Sequence, residues 1–299
     1  MKKIVYIFLC INFLLSSLCI NAGIIDVIQW TIACGWPTFR GLVGAEQILD
    51  YHLKKLDISR EKEAPENVQD YVHESLTPVL KNAQELKVFI WPDKGIRDYA
   101  ADLNSIYIGI NPTTKKTMLE ELLEKRESNE LTDEDHKNFS MINWVLHHEA
   151  NHIINKDKYT KTMANFIIPT ITWLGFKKLK NRMNHIPYFN PLTAIPFAIG
   201  LAILNRELLN AYSRYIEYQA DRVPNDKELL NGGIRFMDLE IQKEPKLIKF
   251  FENEIKTTIP ENRQKIAAFA IKFVKWFSYD HPTNENRKTQ LEKQLKKLD

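Results

Sequence analysis

The hydrophobic positions of this 299-residue chain follow two different spacings. Two short runs rich in β-branched and aromatic residues, 86–91 and 105–110, predict strands. Elsewhere apolar residues recur every three or four positions, which predicts helices that bury one face. These helical stretches are 45–56, 66–86, 115–129, 139–154 and 266–277. We therefore expect a mostly helical α+β fold with a small β element.

Two longer apolar runs, 163–176 and 186–204, depart from this pattern, and a basic segment separates them. The first run is shorter than the about 20 residues that span a bilayer, and the prolines within both runs suit a continuous spanning helix poorly. We expect an apolar helical hairpin over 163–204 that re-enters a membrane or lies on its surface. The alternative is a soluble protein in which the two runs pack as amphipathic helices over the functional site.

Residues 1–22 have the pattern of a secretory signal peptide. Lys2 and Lys3 precede the apolar run 4–20, and Ala22 offers a small residue for cleavage. The alternative is an uncleaved N-terminal anchor, because the run lies at the lower edge of spanning length. Either version exports residues 23–299, which we expect to form one domain on the periplasmic side of the cell envelope or associated with the membrane.

Composition and charge narrow the class of partner. An apolar content of 44% is enough for a substantial core, and 41 basic against 38 acidic residues give a net charge of only +3. No basic stripe with interleaved aromatic residues is present, so we expect no nucleic-acid partner. Of the three cysteines, only Cys34 lies beyond the predicted signal peptide, which excludes an intramolecular disulfide in a processed chain.

The candidate chemistry lies in the predicted helix that follows Thr132, a typical N-cap residue. There His148, Glu149 and His152 form the motif H-E-x-x-H. Four residues of helix turn about 400° and rise about 6 Å, so the two imidazoles share one face and can bind one metal ion. Neutral imidazoles suit Zn²⁺, and Glu149 is placed to accept a proton from a water molecule. The motif predicts one Zn²⁺ per chain.

A zinc site of this kind needs a third protein ligand and an open position. Glu217 and Asp221 lie four residues apart on another predicted helix. We predict Glu217 as the third ligand and Asp221 as the acceptor of the free ring N–H of His148. The neighbouring His147 has Asn151 as its partner four residues on, which is a poor zinc ligand, so the site is assigned to His148.

These motifs are followed by Asp280-His281-Pro282 and then Arg287. In this order they resemble the membrane-linked zinc peptidases of the HtpX and CAAX prenyl protease type, over roughly residues 86–295. The resemblance implies a gluzincin, which is a zincin-like metallopeptidase domain, with the apolar hairpin between the zinc ligands, and endopeptidase activity. It also implies that His281 stabilises the oxyanion, with Arg287 as a supporting residue; the alternative is that His281 only caps the last helix.

Two stretches depart from the family pattern. Ala150 and Asn151 occupy the interior of H-E-x-x-H, where small or apolar residues with glycine are more usual. The stretch 98–101 only loosely resembles an Asn-Ala stretch of the family.

The expected function is zinc-dependent hydrolysis of peptide bonds in envelope or membrane-associated, misfolded proteins. An exposed edge strand could hold such a polypeptide by main-chain hydrogen bonds, and Ile106, Tyr107 and Ile108 are predicted to form it. An ordinary core strand is the alternative. A different class of function is a chaperone or assembly factor that binds unfolded envelope proteins with little or no proteolysis. Only the first function requires Glu149.

Overall fold

The computed structural model describes residues 24–52, 62–91, 99–111, 113–183, 191–224, 226–258 and 282–298. Along the chain these residues form α1 (Ile24–His52), β1 (Lys62–Glu63), α2 (Glu66–Leu76), β2 (Lys87–Trp91), β3 (Tyr99–Asp102), β4 (Ser105–Gly109), α3 (Met118–Glu127), α4 (Asp133–Ile154), α5 (Asp157–Met183), α6 (Pro191–Ala220), α7 (Lys227–Thr258) and α8 (Asn284–Leu295). This mostly helical α+β architecture with one small sheet confirms the predicted fold class.

The chain divides into two compact units. The first comprises Met1–Asp57 and Lys156–Ser213, and the second comprises Ile58–Asn155 and Arg214–Asp299. Helix α6 contributes its last turns to the second unit. The predicted signal peptide at 1–22 and the helix predicted over 266–277 lie outside the described residues.

In the first unit, α1 packs along α5, and residues of both helices form a small aromatic core. Asn205 of α6 is fully buried beside them. The hydroxyl of Thr172 donates to Asn205 Oδ1, and Asn205 Nδ2 donates to the carbonyl oxygen of Ala33 at 2.9 Å. One buried amide therefore connects the three helices. Of the predicted helix over 45–56, residues 45–52 are the end of the much longer α1, which runs through Pro37, and residues 53–56 lie outside the described residues.

Of the two apolar runs predicted as a hairpin, 163–176 lies in α5 and the described part of the second, 191–204, lies in α6. Each helix contains a proline, Pro169 in α5 and Pro196 in α6. No described helix combines the length and the apolar character needed to cross a membrane.

The sheet of the second unit has the strand order β1-β2-β4-β3. Strand β4 pairs in parallel with β2, where Tyr107 lies opposite Phe89, and antiparallel with β3, where Ile106 lies opposite Ala101. The prediction that Ile106, Tyr107 and Ile108 form an exposed edge is therefore wrong. Strands are paired on both sides of β4, and Ile106 and Ile108 are fully buried. The outer strands of the described sheet are β1 and β3.

Helix α4 is central to the second unit because two separate cores meet it. On one side Ile142, Leu146 and Ala150 pack with apolar residues of the sheet, α2 and α3. On the other side Trp144 and Val145 pack with residues of α7 and α8. The H-E-x-x-H helix is thus held on two faces, which fixes its rotation about its own axis.

Helix α7 continues through Gly232 and Gly233, although these glycines predict a break in the chain. A Cβ atom at Gly233 would lie 2.5 Å from Nε1 of Trp144, and one at Gly232 would overlap the carbonyl of Ser140. The two glycines therefore permit close packing of α7 on α4. Their packing role outweighs their low helix propensity.

Candidate active site

A capping box fixes the first turn of α4. Thr132 Oγ1 accepts from the Asp135 N–H at 3.2 Å, and Asp135 Oδ2 accepts from the Thr132 N–H at 3.0 Å. This confirms Thr132 as the N-cap. Lys125 Nζ also donates to Asp135 Oδ1 at 2.9 Å. The hydrogen bonds from Lys125 and Thr132 lower the pKa of Asp135 to about 2.

The structure brings the three predicted zinc ligands together. One atom each from His148, His152 and Glu217 lies within 4.8 Å of the other two. Nε2 of His148 is 3.2 Å from Nε2 of His152, and Oε2 of Glu217 is 3.6 Å and 3.8 Å from these two nitrogens. Both His148 and Glu217 are buried. Three potential donors therefore converge on one point inside the second unit.

This donor set fits a zinc ion. Bonds of about 2.0–2.1 Å in a tetrahedron place the ligand atoms about 3.3–3.4 Å apart, close to the three observed separations. Two imidazoles and one carboxylate also form a set that occurs at catalytic zinc sites, which keep a fourth position open. The arrangement can hold a divalent metal with room for a water molecule or a substrate oxygen.

Asp221 determines which nitrogen of His148 faces the cluster. Its Oδ1 lies 3.0 Å from Nδ1 of His148, and the carboxylate is fully buried. Because an ionised carboxylate only accepts hydrogen bonds, Nδ1 of His148 carries the proton and Nε2 presents its lone pair to the metal position. The contact places Asp221 where the sequence predicts it.

Arg287 of α8 binds both carboxylate oxygens of Asp221, and its Nη2 lies 3.4 Å from Nδ1 and 3.5 Å from Nε2 of His148. Its Nε donates to Asp221 Oδ2 at 2.8 Å, and its Nη2 donates to Oδ1 at 2.5 Å. Burial alone would raise the pKa of Asp221, but hydrogen bonds from Arg287 and His148 outweigh it and keep that pKa below its ordinary value. Nη1 of Arg287 lies 4.0 Å from Oε2 of Glu217. Arg287 therefore supports the ligand residues through a buried ion pair.

The carboxylate of Glu149 lies near the same guanidinium. Burial lowers the pKa of Arg287, whereas the hydrogen bond to Asp221 and the negative charges of Asp221, Glu217 and Glu149 raise it above its ordinary value. Glu149 is half-buried on α4 beside the two histidines. A general base at this position could exchange protons with a water molecule at the cluster.

Trp144 is a site residue that the sequence prediction missed. Its indole stacks on the imidazole of His148 with ring centres 5.3 Å apart and planes 20° apart. The guanidinium carbon of Arg287 lies 5.9 Å from the indole centre. Trp144 precedes His148 by four residues, so helical spacing was a signal that could have identified this neighbour.

Asn151 is a second missed residue. Its Nδ2 donates to the carbonyl oxygens of Ala220 and Arg222 at 3.0 Å and 3.2 Å. These carbonyls flank Asp221 at the end of α6, one turn beyond Glu217. The side chain therefore links the H-E-x-x-H helix to the segment that supplies the third donor. An asparagine at this position is unusual for the motif, and this was the signal in the sequence that could have identified Asn151.

Other predicted residues lie elsewhere. His147 is buried outside the cluster, and burial lowers its pKa, so it remains neutral near pH 7. His281, Asp280 and the first residue of the stretch 98–101 lie outside the described residues. The alternative that His281 caps the last helix is wrong, because Thr283 is the N-cap of α8 and accepts from the Asn286 N–H at 3.3 Å.

The chain was compared with protein-family models, curated proteins and solved structures. The sequence model of Peptidase family M48 matches residues 98–295, about two thirds of the chain. The matched segment contains H-E-x-x-H, Glu217, Asp221 and Arg287. Neither the comparison with curated proteins nor the comparison with solved structures finds a match.

Proposed function

This chain belongs to peptidase family M48, and from that premise we propose that it is a zinc-dependent endopeptidase of the HtpX and CAAX prenyl protease type. Family membership supports a peptidase, and the donor set supports a metallopeptidase. The observation that carries the proposal is the convergence of His148, His152 and Glu217 within 4.8 Å, with Glu149 next to His148 in sequence on the same helix.

In the proposed reaction each residue has one task. A Zn²⁺ ion held by His148, His152 and Glu217 would supply a Lewis acid that lowers the pKa of water to about 7 and polarises the scissile carbonyl. The carboxylate of Glu149 takes the proton of the attacking water and delivers it to the nitrogen of the leaving amine. We assign oxyanion stabilisation to His281 on the family resemblance.

Asp221 and Arg287 do not take part in proton transfer. Asp221 holds the Nδ1 proton of His148 and so orients the imidazole. Arg287 balances the charge of Asp221 inside the protein, since an unpaired buried carboxylate would be costly. This pair keeps the site in one geometry before substrate arrives.

Strand β3 is the better candidate for contact with an extended substrate. It is an outer strand of the described sheet and packs against α4. An outer strand has free main-chain groups that can pair with a polypeptide, and such pairing tolerates many sequences. We propose that substrate pairs with β3 in place of the interior strand β4.

We propose envelope or membrane-associated, misfolded proteins as substrates. The predicted signal peptide at 1–22 supports export, and exposed apolar side chains of α5 and α6 support association with a membrane. The membrane association would concentrate the peptidase where such substrates occur.

A cleavage time course on an unfolded protein, with zinc-loaded protein, tests the proposal. The comparison is between the wild type, Glu149→Gln and a control, Glu127→Gln, which changes an exposed carboxylate at the end of α3. We expect the wild type and the control to cut, and Glu149→Gln to bind zinc without cutting. If all three bind zinc and none cuts, the endopeptidase proposal fails and suppression of aggregation becomes the activity to measure.

A further inference from the structure

Helix α5 carries an exposed apolar stripe. Met163, Ile167, Ile171 and Leu174 are spaced by four, four and three residues, so they lie on one face of the helix. Each of these side chains is 47–63% exposed. Soluble proteins rarely leave large aliphatic side chains uncovered in such a row, so the stripe indicates a surface that contacts an apolar phase.

A groove of about 550 Å³ lies between α5 and α6 in the same unit. Gly175 and Gly200 line it, and a Cβ atom at either glycine would have no neighbour within 4 Å. The remaining lining residues are apolar except Thr172, whose hydroxyl already donates to Asn205. The volume is typical of a small-molecule site, but the walls offer no polar group for orientation. A flexible hydrocarbon chain fits such walls.

Basic residues predominate in the sequence around the groove, and the nearby Glu207 is an ion-pair partner of Arg206. From Lys158 to Arg206 the sequence contains seven Lys or Arg residues and no Asp or Glu. Lys177, Lys178 and Arg182 follow the groove residue Phe176 on α5, and no ion pair involves them among the described residues. Basic residues beside an apolar helix face favour the headgroups of anionic lipids.

We propose that the groove between α5 and α6 binds one acyl chain of an anionic phospholipid. The apolar stripe then lies in the membrane interface, and Lys177, Lys178 and Arg182 contact the headgroups. A second copy of this chain would present the same basic residues, so charge complementarity favours lipid as the occupant. The proposal goes beyond the peptidase function and does not depend on it.

Photo-crosslinking with full-length protein tests the groove. The probe is phosphatidylglycerol with a photoactivatable group in one acyl chain, carried in phosphatidylcholine vesicles. The double variant Gly175→Leu, Gly200→Leu fills the groove with side chains. Its matched control, Gly175→Ala, Gly200→Ala, makes the same change in backbone freedom but leaves most of the groove open. We expect crosslinks to groove residues of the wild type and control, and a severalfold loss in the leucine variant.

Partition onto lipid vesicles tests the proposed contact of the basic residues with lipid headgroups. Replacing Lys177 and Lys178 by Gln should weaken partition onto vesicles containing phosphatidylglycerol by about tenfold or more, because each basic residue near an anionic surface adds to binding. Partition onto pure phosphatidylcholine should not change.

Three results would overturn the proposal. The first is equal crosslinking of the leucine and alanine variants, and the second is crosslinking confined to residues outside α5 and α6. The third is a stable dimer in sedimentation whose groove takes no label, which would identify a second copy as the occupant. Circular dichroism and zinc binding of each variant show whether it is folded.

Discussion

Oδ1 of Asp221 lies 3.0 Å from Nδ1 of His148, although His148 lies on α4 and Asp221 directly follows α6. The contact fixes the tautomer of His148, so the orientation of one predicted zinc ligand depends on a residue that does not touch the metal position. Arg287 holds the same carboxylate by two hydrogen bonds. Asp221 and Arg287, which are not among the three candidate metal ligands, therefore help to set the geometry of the cluster.

Replacing Asp221 by Asn should weaken zinc binding by about 10–100-fold, because the amide cannot balance Arg287 and no longer enforces the Nδ1 proton. Competition with a chromogenic chelator measures the change. Asp238→Asn is the control, since Asp238 is a partly exposed partner of Lys288 away from the cluster. Equal zinc affinity of Asp221→Asn and the wild type would contradict the role of Asp221.

Asn151→Ala should lower the free energy of unfolding by about 1 kcal/mol, because two carbonyl oxygens at the end of α6 lose their shared donor. It should also alter the absorption spectrum of the Co²⁺-substituted protein, since Glu217 lies one turn before these carbonyls. Urea denaturation and visible spectroscopy provide the two measurements. Asn155→Ala, at the exposed end of the same helix, should leave the spectrum unchanged. A destabilised variant with an unchanged spectrum would limit Asn151 to a structural role.

Gly233→Ala should lower the free energy of unfolding by about 1–3 kcal/mol, because the added methyl group would overlap the indole of Trp144. Zinc affinity should fall as well, since the indole stacks on His148. Gly175→Ala is the matched control: open space surrounds that position, and alanine should increase stability by up to about 1 kcal/mol. Thermal unfolding of both variants checks the prediction, and it fails if they change stability in the same direction.

The stability that Asp135 contributes should depend on pH in a defined window. Its pKa of about 2 in the folded protein is below the about 3.9 of an unfolded chain, so the unfolded state binds more protons between these values. Its contribution is therefore complete above about pH 4 and is lost as the pH falls toward 2. Compared with Asp135→Asn, the wild type should melt at a higher temperature at pH 6, and the difference should shrink at pH 2.5.

Asp133→Asn is the control for that experiment. It removes a carboxylate from the same helical turn but leaves the contact of Asp135 with Lys125 in place. If the difference in melting temperature between Asp135→Asn and the wild type is the same at pH 6 and pH 2.5, the ion pair of Asp135 with Lys125 contributes no stability.

Local rules were sufficient for the parts of the site that lie within one helix. The N-cap at Thr132 follows from residue preferences at helix ends, and the shared face of His148 and His152 follows from helix geometry. Glu217 and Asp221 were also identifiable from their four-residue spacing, and in the structure Asp221 directly follows α6 with its N–H donating to the carbonyl oxygen of Glu217. Because only a few residue types bind zinc, the candidate ligands could be predicted without a structure.

Contacts between helices and strands could not be predicted from the sequence in the same way. Strand order is set by pairing between distant segments, so nothing in the stretch around Ile106 could reveal that β3 covers its outer side. Gly232 and Gly233 predict a break by propensity, but their neighbours on α4 decide the outcome. The roles of Trp144 and Asn151 likewise depend on which helices meet.

Residues 156–213 form an insertion between two parts of the second unit. Contacts between the residues that flank this insertion hold its two ends together. Asn151 bonds to Ala220, and His152 faces Glu217. The entropy cost of closing a flexible loop rises by only about 0.6 kcal/mol for each doubling of its length. Contacts at both ends of the insertion, and not its length, therefore set the distance between the two parts of the site. The insertion and the geometry of the candidate metal ligands can therefore vary independently of each other.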